Sequence, residues 1–127
     1  GLGDVYKRQV LTVIFIMNAS KQNVAYNLVE AGALFAKDST NVFSFPLAQV
    51  IVYINKHHLN FLDKNKKTLD EIIYQKVGFL SNFTNIYVGK QKPNVLRKIK
   101  NILKKFYIIT HPMTIRNTSK RWITIRF

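Results

Sequence analysis

VIFIMNASKQNVAYNLVEAGALFAK, residues 13–37, decides how this chain is read. Its first residues close a continuous apolar run, Leu11 to Met17, rich in branched side chains, and Asn18 to Asn23 form a polar loop. An apolar run of that length ending in a polar turn suits a strand buried on both faces, as in a parallel sheet. From Val24 to Lys37 the residues Val24, Leu28, Ala31 and Phe35 recur at three- or four-residue steps, which predicts a helix. Gly32 falls inside it at a cost of about 1 kcal/mol against Ala, tolerable where a helix packs closely on a strand. Helical spacing sets Tyr26 and Glu30 on one face.

Downstream, Asp38 to Asn41 punctuates and VFSFPL, residues 42–47, predicts a second strand ending at Pro46, which cannot donate to a ladder. LAQVIVYIN, residues 47–55, fits either a strand or a helical turn, and LNFLD, residues 59–63, a short strand. Thr68-Leu69-Asp70-Glu71 has the spacing of a capping box and is followed by Ile72, Ile73 and Val77 at helical spacing, with a stop near Gly78. FLSNFTNIYVGKQKP, residues 79–93, carries turn signals and aromatics. Pro93 suits the first turn of a further helix with an apolar stripe of Val95, Ile99, Ile102, Leu103 and Phe106. RWITIRF, residues 121–127, alternates as a terminal strand. The expected fold class is α/β: a fragment of a flavodoxin-like parallel sheet over residues 10–78, then a basic helix-and-strand extension over residues 79–127.

At the other end, GLGDVYKRQ, residues 1–9, coincides with the in-frame translation of a transposon adapter used to prepare sequencing libraries. It is set aside as an artefact of preparation, and the native N-terminus is expected upstream of Val10. The run 11–17 is far shorter than the roughly 20 residues a membrane helix needs, so no transmembrane segment and a cytoplasmic location are expected. The chain has no cysteine, which excludes a disulfide framework and a thiol nucleophile. His57 and His58 are adjacent and His111 is distant, so no metal site is predicted. Neither a phosphate-loop glycine pattern nor a G-x-S-x-G elbow occurs.

The stretch from Val13 to Ala33 resembles the central part of a bacterial-type TIR domain. That family shows a strand like Val13–Met17, a short loop, and a helix with an aromatic four residues before a Glu, the places held here by Tyr26 and Glu30. Glu30-Ala31-Gly32-Ala33 fits the small residues that follow, whereas Asn18-Ala19 stands where the family often has Ser-Pro, and Tyr26 where it has Trp. The resemblance spans roughly residues 11–75. It implies an NAD-cleaving glycohydrolase or a signalling and defence module, with Glu30 as catalytic carboxylate and Tyr26 and Asn18 as substrate contacts. It further implies NAD as substrate with no resident cofactor, and self-association through the TIR-like domain. A carboxylate suits that chemistry because breaking the N-glycosidic bond builds positive charge on the ribose. Nucleoside deoxyribosyltransferases, which also carry a Glu in an E-x-G helix, are a second resemblance with related chemistry.

Charge supplies a rival reading. The formal net charge is +14, and residues 91–127 hold ten basic residues and no acid. Interleaved with Phe106, Tyr107 and Trp122, they fit a basic nucleic-acid-binding protein of the ribosomal kind, with Arg97, Lys98, Lys104 and Lys105 as phosphate contacts. A helix lying on an anionic membrane surface and a plain solvated face fit the same charges.

Overall fold

The computed structural model describes residues 2–104 and 109–112. Helix α1 spans Leu2–Lys21, strand β1 Ala48–Ile51, helix α2 Leu69–Val77, strand β2 Asn85–Val88, helix α3 Pro93–Leu103 and strand β3 Ile109–Pro112. The three strands are parallel and lie in the order β1-β2-β3. Each crossover contains a helix, α2 between β1 and β2 and α3 between β2 and β3, as parallel pairing requires. The α/β class with a parallel sheet is therefore as the sequence predicts.

Local chemistry explains α2 and α3. The Thr68 hydroxyl accepts the Glu71 N–H at 3.1 Å, capping α2 where the T-x-x-E spacing puts it. The Glu71 carboxylate turns along the helix instead and accepts from Gln75 Nε2 at 2.7 Å. In α3, Pro93 takes the first position, where its missing N–H loses nothing. Val95, Ile99 and Leu103, four apart, are buried, while Arg97, Lys100 and Lys104 are exposed. Ile72, Ile73 and Val77 of α2 join them with Ile51, Ile54, Leu62 and Ile86 in one core. The register pairs Gln49 with Ile86 and Ile51 with Val88, so alternation puts Ile51, Ile86 and Val88 on the face that α2 and α3 cover.

Other expectations are corrected. The run 11–17 lies inside α1, not in a strand. Among the described residues it has no strand partner, and an unpaired segment satisfies its backbone groups within itself only as a helix. The helix expected over 24–37 is absent: residues 24–34 are irregular, followed by a single 3-10 turn, Phe35–Lys37. Leu28 on its intended apolar face is 93% exposed. Without a layer to bury that face a helical period gains nothing, and the Asp38 carboxylate holds the segment another way. It accepts from Gly32 N–H at 2.9 Å and from Thr40 N–H at 2.9 Å.

The strand expected at 42–47 does not form; β1 falls instead within residues 47–55, resolving that stretch as a strand rather than a helical turn, and Leu59–Phe61 forms a 3-10 turn rather than a strand. Strand β2 lies within the turn-rich stretch 79–93. The terminal strand read at 121–127 is outside the described residues.

Candidate functional site

In open parallel sheets ligands settle in the crevice beyond the carboxyl ends of the strands. Here that position holds a cleft of about 640 Å³ lined by Val50–Tyr53 on one side and Gly89–Pro93 on the other. Two contacts build it. Gly89 N–H donates to the Ile51 carbonyl at 2.8 Å, and a Cβ on Gly89 would sit 3.2 Å from that oxygen, so glycine lets the backbones approach. Gln91 then clamps the far wall, its Oε1 accepting from Ile54 N–H at 3.0 Å and its Nε2 donating to the Val52 carbonyl at 2.8 Å. The loop after β1 is thereby fixed to the loop after β2.

The cleft offers Val50, Val52, Tyr53 and Pro93 as apolar surface, with exposed Lys90 and Lys92 and no carboxylate in its lining. Its floor leads into the first turn of α3, which has no acidic residue, where the helix dipole adds a partial positive charge. An apolar wall beside two ammonium groups is chemically suited to an anion with a flat or apolar body.

A second polar cluster surrounds Asp38. Besides the Gly32 and Thr40 N–H groups, its carboxylate takes the Thr40 hydroxyl at 2.5 Å and acts electrostatically on Lys76 of α2. Burial pulls the Lys76 ammonium below the ordinary lysine range, and the Asp38 charge offsets part of that. His58 opens the turn 59–61 at φ 64°, a left-handed conformation uncommon outside glycine, with its ring 5.8 Å from that of Phe61.

Of the three residues expected to act on NAD, the structure brings two to one groove. Asn18 and Tyr26 both line a shallow groove beside α1, with Phe15 and Leu28, but Glu30 is not among its walls and is exposed. Tyr26 is 77% exposed and follows no helix with Glu30. On α3, Arg97 and Lys104 are exposed, Lys98 pairs with Asp70 of α2, and Lys105 lies outside the described residues. Gly89, Lys90, Gln91 and Lys92 carry no recognised motif. Their signal was available in IYVGKQKP, a short β-rich run, a glycine, two lysines and a helix-opening proline.

Fold and cleft together define the class: a parallel α/β unit with a crevice at the strand ends. No family model and no curated protein matches the sequence. Among solved structures the chain is similar to folylpolyglutamate synthetase (FPGS): the FPGS–AMPPCP complex, the apo form of L. casei FPGS and the FPGS–AMPPCP–folate complex. Each gives a TM-score of 0.69 at 19% identity, covering 80% of this chain and 24% of that chain. The likeness establishes the fold, and the chain spans about a quarter of the length of these proteins.

This finding overturns the TIR resemblance and the NAD-cleaving activity it implied, because the neighbours are FPGS structures. The apolar strand on which the resemblance turned is moreover a helix. The deoxyribosyltransferase and nucleic-acid-binding readings gain no support from these neighbours. Among the described residues no helix is long and apolar enough to cross a membrane.

Proposed function

We propose that this chain is a piece of a nucleotide-dependent ligase of the FPGS kind, and that its strand-end crevice belongs to that enzyme's ligand-binding surface. One observation carries the reading: four-fifths of the chain follows the backbone of structures solved with AMPPCP and with folate. AMPPCP is an ATP analogue and folate ends in carboxylates, so both are anions with a flat ring system. The crevice suits that chemistry, with Lys90 and Lys92 for the negative charge and Tyr53 and the valines for the planar body. In the intact enzyme the ATP would drive the joining of a folate-type carboxylate to an amine such as that of glutamate.

The test uses the intact protein encoded by the parent gene. ADP release should require a folate-type acceptor and glutamate together and should be inhibited competitively by AMPPCP. An intact, folded protein that neither binds AMPPCP nor releases ADP rejects the proposal.

A further inference from the structure

Strand β1 is first in the order β1-β2-β3, so among the described residues one of its long sides has no strand beside it. Natural edge strands are blunted by charges, prolines or bulges. This one is not: from Ser39 to Asn55 no residue is charged, and Pro46 falls before the strand begins. The edge strand and its continuation are apolar as well, with Val50 48% and Val52 70% exposed, although Tyr87, the register partner of Val50 on the same face, is buried. Parallel sheets ordinarily have both faces covered. Here α2 and α3 pack together over the face bearing Ile51 and Ile86, whereas Val50 alternates to the opposite one.

The backbone direction follows from one bond. The Ile51 carbonyl accepts from Gly89 N–H, so the polar groups of Ile51 point towards β2. Alternation then turns the N–H and carbonyl of Val50 towards the open side.

We infer that β1 is an interior strand, and that a further strand of the longer ligase, from outside residues 1–127, pairs along its open side through Val50. The inference rests on the reading of this chain as a piece of such an enzyme. Its occupant follows from size: the FPGS neighbours place about three-quarters of their length beyond the matched region. Because Val50 and Val52 also wall the crevice, that strand would complete the binding site on its β1 side.

Amide hydrogen exchange on the intact protein tests this. The Val50 amide should exchange within about tenfold of the Ile51 amide, since both would sit in ladders; an edge amide would exchange about a hundredfold or more faster. A Val50→Pro variant should lose folded protein, because proline is tolerated on a strand whose N–H faces water and not on an interior one. Fast Val50 exchange in a protein that binds AMPPCP overturns the inference while leaving the ligase reading intact. Protection that disappears on dilution overturns it in favour of a second copy, and protection already present in the 127-residue chain alone overturns it in favour of a segment of that chain. Failure of AMPPCP to bind while Val50 is protected strikes the ligase reading and not the edge.

Discussion

Replacing Gln91 with Ala should loosen the crevice measurably, because a single side chain satisfies both of its backbone partners. Ile54 is only 3% exposed, and its N–H has the Gln91 carboxamide oxygen as acceptor at 3.0 Å. Losing that acceptor leaves a buried donor without a partner, which costs about 1–3 kcal/mol. The Val52 carbonyl on the other arm belongs to an exposed residue, so water replaces the Gln91 amide there at a cost of about 0.5 kcal/mol or less. The sum is about 2 kcal/mol, read as a lower urea midpoint with the slope unchanged.

Gln91→Glu separates the two arms. Its ionised carboxylate still accepts from Ile54 but opposes the Val52 carbonyl, whereas the protonated acid can donate to Val52 as the amide does. The folded state then favours the proton and raises the pKa of this Glu above its unfolded value. The stabilisation is complete below the unfolded pKa, about 4.3, and is lost as pH rises through the folded one. A Gln91→Ala loss below about 0.5 kcal/mol, or a Gln91→Glu variant whose stability relative to the parent ignores pH, would refute the clamp.

Three further outcomes follow from the packing. Thr68→Ala should cost about 1 kcal/mol and Thr68→Ser much less, both by thermal denaturation, since the hydroxyl caps the Glu71 N–H. Ile99→Ala, at a site with no exposure between α2, α3 and the sheet, should cost about 2–5 kcal/mol in urea titrations. Lys76 has a folded pKa below its unfolded value, so its favourable contribution is present above the ordinary lysine pKa and lost as pH falls through the lowered one. Stability followed from neutral into alkaline pH should therefore rise relative to a Lys76→Met variant; parallel curves would show that Lys76 is not desolvated.

The parts of the fold legible in the sequence are those set by local chemistry. Thr68 with Glu71 and Pro93 with the Val95–Ile99–Leu103 stripe announce their helices because a cap, a proline and an apolar spacing act within one element. What failed depends on neighbours. Leu11–Met17 has strand composition, yet composition does not say whether another strand is present to pair with it, and in its absence the run is helical. Val24–Phe35 has helical spacing but no layer against it, and Asp38 captures its backbone instead. The role expected of Glu30 draws on those two elements, and the residue lies exposed in the irregular segment 24–34. The crevice was hidden for a different reason: Gly89 and Gln91 matter through contacts with Ile51, Val52 and Ile54, far away in sequence.

The most direct measurement is a titration of the intact parent protein with AMPPCP, followed by ADP release in the presence of ATP, a folate-type acceptor and glutamate. A ligase of the FPGS kind binds the analogue and releases ADP only when both acceptor substrates are present. A folded protein that ignores AMPPCP, or that turns over ATP regardless of folate and glutamate, contradicts it.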